Sequence, residues 1–328
     1  LKYFVLGGFA SAFLLYGIAL VYGGAGKTSI SGIHDSLAAY VSLHNTDAML
    51  LVGIGLLMVG LAFKVSAAPF QVWTPDVYEG APTPVTAFMA SAGKVAAFAA
   101  MLRILTVAFA NRADDWRPVV WALAILTVFV GSTMAVVQTN VKRMLSYSSI
   151  SHAGFILVGV EAAGHMKGNG LNSSMTYLAI YTVLVLGSFA IVLSLSGMND
   201  SDTTLDDFKG LAKRRPALAL AFSVLLFAQA GVPFTAGFVA KFGVIKSAVE
   251  VNSYAIAIAA MIAAVIGAYL YLRIVVSMWM EEPTSTEELL IASPVRWVIG
   301  LSVAATLFVG IFPNVLLNAA ELVRFAPR

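Results

Sequence analysis

The chain has 328 residues, of which 59% are hydrophobic and only 11% are charged. Soluble domains carry about 25% charged residues, so this composition excludes a soluble globular protein. The absence of cysteine excludes disulfides, thiolate metal sites and iron–sulfur ligation. The net charge of +3 is small and is better explained by membrane topology than by binding to nucleic acid.

Long apolar runs follow one another along the chain with little polar alternation. Runs of about 20 residues are typical of membrane-spanning helices, whereas barrel strands are shorter and alternate. We therefore predict an all-α polytopic membrane protein with about nine transmembrane helices. They fall near residues 1–23, 47–72, 84–110, 118–140, 147–163, 173–198, 216–249, 253–279 and 295–322.

The first run begins directly at Leu1, with no Met, no basic region and no small-residue cleavage site. This pattern is typical of a span that is entered partway through a larger chain. We therefore expect further helices upstream of Leu1 or on a separate piece.

The second and seventh spans each contain a proline deep in an apolar run. The second reads AFKVSAAPFQVW and includes Lys64, and the seventh reads AGVPFTAGFVAKF and includes Lys241. Proline removes a backbone hydrogen bond, so we predict a helix break in each span. Paired interrupted spans are typical of transporters built from two repeats, with the binding site at the breaks.

Positive charge indicates the orientation of the chain in the membrane. Basic residues cluster in two loops, 142–143 and 209–215, which fall on the same side by parity. We assign this side to the cytoplasm, together with Leu1, and expect Arg328 on the opposite side. Four glutamates in the 281–294 loop also fall on the cytoplasmic side, but acids contribute little to this rule.

Three lysines, Lys64, Lys94 and Lys241, fall in or beside apolar helix interiors. A charge at the bilayer centre costs roughly 2.5–3.5 kcal/mol on insertion scales, so these positions indicate function. Arg103 and Lys246 lie close to loops, where a long side chain can reach the headgroups, and we interpret both as snorkelling residues.

Lysine suits a proton relay because its charge depends strongly on its surroundings. The pKa of a desolvated ammonium falls toward neutrality, and a nearby carboxylate raises it again. The predicted spans contain no Asp or Glu near their middle, and Asp76 and Glu79 follow the second span in a loop. We therefore expect the carboxylate partner of Lys64, a glutamate, in a helix that precedes Leu1 or in another subunit.

The fifth span opens with the polar segment SYSSISHAG, which contains His152. Two interpretations stay open: its hydroxyls cap the start of a helix, or His152 relays protons between lysines. His34, His44 and His165 are predicted to lie in loops in contact with water. The four histidines have no metal-ligand spacing, so no metal site is predicted.

Three segments resemble motifs of the antiporter-like membrane subunits of respiratory complex I, the proton-pumping NADH:quinone oxidoreductase. They are AFKVSAAPFQVWTPDVYEGAPTPVTAFMASAGKVAAF, VVQTNVKRMLSYSSISHAGFILVG and GVPFTAGFVAKF. The resemblance implies fourteen helices in two inverted repeats of five, with broken helices at the seventh and twelfth. The spans here would be helices six to fourteen, and the fifth helix, before Leu1, would bear the family's glutamate.

By this resemblance, Lys64 is the broken-helix lysine of the first repeat, Lys94 lies in the next helix, and Lys241 is the terminal lysine of the second repeat. The eleventh helix reads TYLAIYTVLVLGSFAIV and lacks the histidine and lysine of the larger paralogues. The chain also ends without a long lateral helix. These features favour the N-type paralogue, whose mitochondrial counterpart is subunit 2, with His152 as the candidate relay histidine.

The resemblance implies a division into three parts: the remainder of the first repeat at 1–110, the second repeat at 111–281, and a C-terminal helix at 282–328. It also implies a multi-pass protein of the bacterial inner membrane that moves protons through a lysine, water and histidine relay. NADH, FMN, iron–sulfur clusters and quinone would be bound by other subunits, with no cofactor in this chain. The implied partners are the lipid bilayer, a neighbouring antiporter-like subunit and small membrane subunits.

Two other functions are compatible with the same residues. A subunit of a multisubunit Na⁺/H⁺ antiporter would share the lysine motifs, and a membrane scaffold would have lost transport. The proteins that co-purify with the chain would distinguish the first alternative, and lysine substitutions would distinguish the second.

Overall fold

The computed structural model describes residues 1–42, 48–165, 168–196, 203–284 and 291–322. Within these ranges the protein is helical, and its only strand-like pairing is an isolated bridge between Asn140 and Thr204. The helices are α1 (Lys2–Ala25), α2 (Ile30–Ser42), α3 (Ala48–Val65), α4 (Thr74–Gly80), α5 (Thr83–Phe88), α6 (Lys94–Arg103), α7 (Ala113–Val136), α8 (Val141–Ala163), α9 (Gly170–Leu195), α10 (Leu211–Arg214), α11 (Pro216–Ala230), α12 (Ala236–Glu250), α13 (Tyr254–Met280), α14 (Ser293–Ile311) and α15 (Asn314–Glu321).

Seven helical segments of the described chain are long and apolar enough to cross a membrane. They are Lys2–Ala25, Ala48–Gly80, Thr83–Ala108, Ala110–Val136, Gly170–Leu195, Tyr254–Met280 and Ser293–Ile311. The two remaining predicted spans are also helical. Helix α8 has 23 residues, or about 35 Å at 1.5 Å per residue, but is more polar, and the seventh span is divided between α11 and α12. The all-α membrane fold is confirmed, and the count of nine spans is approximate.

The first predicted helix break lies where α3 ends at Val65. Ser66 has a φ of 62°, the bond from Ala68 to Pro69 is cis, and a 3-10 turn at Phe70–Trp73 leads into α4. Polar groups released by the break find partners in the bundle, since the Ala68 amide donates to the Thr127 hydroxyl at 2.9 Å. The proline therefore interrupts this span as its sequence predicts.

The second break separates α11 from α12. Helix α11 ends at Ala230 and is capped by Gly231, whose φ of 93° lies in the left-handed region that glycine adopts without a Cβ clash. Phe234 also has a positive φ, 67°, and α12 begins at Ala236 after this turn. The carbonyls at the end of α11 are thereby released from helical bonding inside the bundle.

The third span is irregular in a different way. A π-helical turn, Met89–Gly93, separates α5 from α6, and a second one, Ile104–Ala108, follows α6. Such turns insert one extra residue into a helix and often occur at functional sites. Lys94 is the first residue after the first π turn.

Helix α8 runs through the centre of the bundle, and nearly every one of its side chains is buried. It lies unusually close to α7, because a Cβ atom added at Gly131 would lie only 2.3 Å from the Ser151 amide nitrogen. A Cβ added at Gly154 would lie 2.6 Å from the backbone of Val128. Two glycines therefore let the backbones of these helices approach each other.

One end of the bundle carries the loops that were predicted to share a side. Arg143 pairs with Asp76 at 2.7 Å and with Glu79 at 2.8 Å, and Asp76 also pairs with Lys2. The Val141 amide donates to the Thr203 carbonyl at 2.6 Å, which joins two of these loops. The predicted same-side placement of the loops is therefore confirmed, while the cytoplasmic assignment stays a prediction.

Acidic residues of the 281–294 loop neutralise bases at this same end. Lys209 contacts Asp206 at 2.8 Å and Glu281 at 3.0 Å, and Lys213 contacts Glu282 at 2.5 Å. Hydrogen bonds to Asp206 and Glu281 raise the pKa of Lys209, so its ammonium stays charged. The glutamates of this loop that lie within the described residues thus pair with the basic loop instead of opposing it.

Two predictions about histidines near the first loop have different outcomes. His34 was expected in a loop, but it lies in α2, and its Nδ1 is 3.0 Å from the Val107 carbonyl oxygen. The prediction of a water-solvated loop residue is therefore wrong for His34, because the short helix packs its side chain against the end of the third span. His44 lies outside the described residues.

We expect Gly131→Ala to lower the free energy of unfolding by about 1–3 kcal/mol, because the new methyl group has no space beside Ser151. Gly55→Ala is the matched control, since nothing lies within 4 Å of a Cβ at that position in α3. It should be neutral or slightly stabilising, because alanine favours helix over glycine. Denaturant unfolding in detergent measures both, and equal effects would contradict the close contact of α7 and α8.

Candidate functional site

The polar residues of the fifth span point into the protein from the middle of α8. Helix α8 begins at Val141 and is capped by Asn140, whose side chain accepts a hydrogen bond from the Arg143 amide at 3.1 Å. The capping interpretation of SYSSISHAG is therefore wrong, because the helix starts several residues earlier. Ser148, Ser149 and His152 are spaced by three and four residues and so share a face of α8.

His152 is 3% exposed, and both nitrogens of its ring have partners. Nδ1 lies 2.7 Å from the Tyr177 hydroxyl, and Nε2 lies 3.3 Å from the Tyr271 hydroxyl. The Tyr271 hydroxyl is in turn 2.6 Å from Ser148 Oγ. Each phenol or serine hydroxyl can both donate and accept, so these four side chains form one continuous hydrogen-bonded chain.

Lys94 is 2% exposed and contacts the neighbouring turn of α8. Its Nζ donates to the Ser149 carbonyl at 2.7 Å and to Ser149 Oγ at 2.5 Å. Ser149 Oγ also lies 2.7 Å from the Tyr181 hydroxyl, and Lys94 Nζ is 5.9 Å from the centre of the Tyr181 ring. The amine is thus held by neutral oxygens and an aromatic ring.

Lys241 is 7% exposed and is held at the second helix break. Its Nζ donates to the Ala230 carbonyl at 3.0 Å, which is one of the carbonyls at the C-terminus of α11. The negative end of a helix dipole and the face of an aromatic ring both favour a cation. Both are present, because Lys241 Nζ also lies 4.9 Å from the centre of the Phe155 ring.

Aromatic rings join these groups into one buried cluster. The His152 ring lies 5.4 Å from the Tyr181 ring, which covers Lys94. Phe155, which covers Lys241, stacks on Tyr177 at 6.3 Å. We call this cluster the central network and define it by the residues Lys94, Ser148, Ser149, His152, Tyr177, Tyr181, Lys241 and Tyr271.

Lys64 does not join the central network. It lies in the last turn of α3 and its side chain is exposed on the surface of the described chain. Among the described residues, no hydrogen bond or ion pair contacts it. Of the four residues singled out from the sequence, the structure brings together Lys94, His152 and Lys241.

Three members of the central network, Tyr177, Tyr181 and Tyr271, were not identified from the sequence. They lie within apolar runs and are nearly fully buried, so each resembles an ordinary core aromatic. A usable signal does exist, because Tyr177 and Tyr181 are four residues apart and share a face of α9. A tyrosine hydroxyl buried in a membrane span must also find a hydrogen-bond partner.

The Lys94 and Lys241 amines have no carboxylate partner in the described part of the chain. Asp76 and Glu79, which were expected to line a loop, instead lie in the short helix α4 and pair with Arg143. Arg103 and Lys246 are exposed, which agrees with their interpretation as snorkelling residues. Within the described residues, no group of three or more His, Asp or Glu could hold a metal ion.

Comparison with known proteins gives a consistent family match. A family model described as NADH:quinone oxidoreductase/Mrp antiporter, TM, matches residues 1–267. The NADH-quinone oxidoreductase subunit N 1 of Herpetosiphon aurantiacus is 46% identical over 98% of this chain and 66% of its own length. Subunit N of Mycobacterium tuberculosis is 45% identical over 98% of this chain and 60% of its own length. The chain thus spans about 60–66% of the length of these relatives.

Solved structures have the same fold. A chain of respiratory complex I from Thermus thermophilus superposes with a TM-score of 0.81 at 31% identity, covering 97% of this chain and 68% of that one. A chain of the Mrp complex from Dietzia superposes with a TM-score of 0.85 at 22% identity, covering 97% of this chain and 66% of that one. The second likeness concerns the fold alone.

We expect Tyr271→Phe to lower the free energy of unfolding by about 1–3 kcal/mol, because it leaves His152 Nε2 without a buried partner and leaves Ser148 Oγ with only Gln229. Tyr269→Phe is the matched control, since Tyr269 lies on the same helix with 56% of its surface exposed. Unfolding of the detergent-solubilised protein is the measurement. Equal stability of the two variants would contradict the hydrogen-bonded chain around His152.

Proposed function

Because the chain belongs to the NADH:quinone oxidoreductase/Mrp antiporter transmembrane family, we propose that it acts as the N-type, proton-translocating membrane subunit of a bacterial NADH:quinone oxidoreductase. The two relatives described above carry the name subunit N at 45–46% identity. Its place is the bacterial inner membrane, with the Leu1 end of the bundle in the cytoplasm. Its partners are other membrane subunits of the complex, including a neighbouring antiporter-like subunit and small membrane subunits.

The observation that carries this proposal is the pair of buried amines beside a hydrogen-bonded histidine. Lys94 and Lys241 are both buried, and neutral oxygens and aromatic rings are their neighbours. An amine in such surroundings can give up its proton without first breaking an ion pair. Its charge state then responds to any cation or anion that approaches.

Protons move along the central network through groups that both donate and accept. On one side, Lys94 gives a proton to the Ser149 hydroxyl as that hydroxyl passes its own proton to Tyr181, and Tyr181 in turn passes its proton to water. On the other side, His152 exchanges protons with Tyr177 and Tyr271, and Lys241 lies beyond Phe155. In this proposal, water molecules carry protons between the groups around Lys94, the groups around His152, and Lys241.

The driving energy comes from outside this chain. The sequence contains no cysteine to ligate an iron–sulfur cluster, and in this proposal NADH, FMN, the clusters and quinone are bound by other subunits. Electron transfer there changes the charge and conformation next to this subunit. Lys64, on the exposed face of α3, receives that signal through a glutamate that is not among the described residues. In this proposal, residues 1–110 are the remainder of the first repeat, residues 111–281 are the second repeat, and residues 282–328 contain the C-terminal helix.

Two rival functions share part of this evidence. A subunit of a multisubunit Na⁺/H⁺ antiporter would have the same fold, as the Mrp complex from Dietzia does. Co-purification with flavin and iron–sulfur subunits distinguishes the two, and the higher identity to subunits named N favours the oxidoreductase. A scaffold without transport would tolerate loss of the buried lysines.

We expect Lys94→Ala and Lys241→Ala, in the full-length subunit within its complex, to lower proton pumping roughly tenfold or more, because each removes a group that binds the moving proton. Lys246→Ala is the control, since the side chain of Lys246 is 61% exposed and pairs only with Glu250 in the described structure. A pH-sensitive dye in proteoliposomes reports pumping. Pumping at the wild-type rate in both buried-lysine variants would contradict the relay and favour a scaffold.

Lys64→Ala should also lower pumping severely while the complex still assembles. Lys64→Arg should impair pumping as well, because a guanidinium keeps the positive charge but does not release its proton near neutral pH. The same dye assay measures both variants, with the amount of assembled complex as the reference. Full activity of Lys64→Arg would show that Lys64 supplies only charge and does not transfer a proton.

A further inference from the structure

A buried carboxylate lies outside the central network, at the opposite end of α8 from Arg143. Glu161 is only 4% exposed. Its Oε1 accepts hydrogen bonds from Ser253 Oγ at 3.1 Å and from His165 Nε2 at 3.0 Å. Its Oε2 is buried and has no hydrogen-bond partner among the described residues.

Helix stability gives no reason for an acid at this position. Glu161 lies in the last turn of α8, where the negative end of the helix dipole disfavours an anion. A buried polar atom without a partner also costs free energy. The protein nevertheless buries one free carboxylate oxygen at this end of the bundle.

The contacts of His165 define the position of its proton. Arg117 Nη1 lies 3.0 Å from His165 Nδ1, and a guanidinium can only donate. Nδ1 is therefore the acceptor, and the proton sits on Nε2, from which it is donated to Glu161. Because both ring nitrogens are used in these contacts, His165 holds the carboxylate in place. His165 lies in the turn after α8, as predicted, but the prediction that it is solvated is wrong, because its imidazole is fixed between Arg117 and Glu161.

This arrangement separates Glu161 from water by a thin layer of side chains. The His165 side chain is 25% exposed, and Arg117 also donates to Asp114, whose side chain is 93% exposed, at 2.8 Å. The layer is tightly packed, since a Cβ atom added at Gly164 would lie 2.6 Å from Arg117 Cγ. Movement of Arg117 or His165 would expose the carboxylate to solution.

Polar groups also extend from the central network toward this end. Glu161 is nine residues from His152 along α8, or about 13.5 Å at 1.5 Å per residue. On the neighbouring helix α9, Thr176 lies next to Tyr177. Its hydroxyl is buried and has no partner in the described structure. Thr176 lines a cavity of about 410 Å³ together with Ser173 and Ser247, whose hydroxyls are 2.6 Å apart.

We propose that Glu161 is a further proton-transfer residue, which binds a proton on Oε2 and releases it to water at this end of the membrane. The proton arrives from the central network through water, forms an O–H bond on Oε2, and leaves as that bond breaks toward solution. Ser253 and His165 hold Oε1 throughout. This inference rests on the proposed function, since it adds a station to the same proton path.

The structural alternative is that Glu161 only ties the end of α8 to the start of α13 through Ser253. Glu161→Gln separates the two roles. The amide oxygen of glutamine can still accept hydrogen bonds from Ser253 and His165, but an amide does not bind and release a proton near neutral pH. We expect the complex to assemble with Glu161→Gln and to pump roughly tenfold more slowly, and Glu161→Asp to recover part of the rate.

Three companion variants define the outcome in the intact complex. Asp115→Asn makes the corresponding change on an acid at the same end, which pairs with Arg112, and should leave pumping unchanged. Ser253→Ala removes the tie but keeps the carboxylate, and should cost less than Glu161→Gln. Lys94→Ala tests the central network in parallel.

Each result is informative. Loss of assembly in Glu161→Gln, or equal losses in Glu161→Gln and Ser253→Ala, would assign Glu161 a structural role and overturn the proposal. Wild-type pumping in Glu161→Gln with impaired Lys94→Ala would also overturn it, while the proposed function would stand. Wild-type pumping in both would overturn the proposed function as well.

Discussion

The structure depends on one constraint: positive charges buried in an apolar bundle must be stabilised without opposite charges beside them. In the described chain, Lys94 and Lys241 meet this constraint through backbone carbonyls, a serine hydroxyl and aromatic rings. A buried ion pair would hold each proton firmly, because breaking it leaves an uncompensated charge. Neutral partners stabilise the ammonium less, and a proton held less firmly can move.

The interruptions of the helices supply these neutral partners. An intact helix would use the Ala230 carbonyl in its own hydrogen-bond ladder, whereas the break at Gly231 directs it to Lys241. The break also aims the dipole of the shortened helix at the amine. In a membrane, irregular backbone is tolerated only where protein or water satisfies its polar groups. The lysine and the break therefore satisfy each other.

The sequence predicts this architecture well wherever a local signal exists. Proline in an apolar run identified both breaks, and a lysine in or beside an apolar run identified Lys94 and Lys241. Groups defined by tertiary packing were missed. The tyrosines resemble core residues until their hydroxyls are seen to face His152, and Glu161 resembles a helix-end acid until the turn after α8 covers it. Lys64 shows the opposite error, because its position along α3 suggests depth while its direction around the helix points away from the described bundle.

The π turn at Met89–Gly93 has a consequence for the direction in which Lys94 points. One extra residue in a helix rotates everything after it by about 100° relative to a regular helix, since 3.6 residues complete a turn. Removal of a single residue from this turn would swing the amine about a quarter-turn away from Ser149, with every side chain of α6 unchanged. The alignment of the lysine with α8 is thus encoded in the number of residues that precede it as much as in their chemical identity.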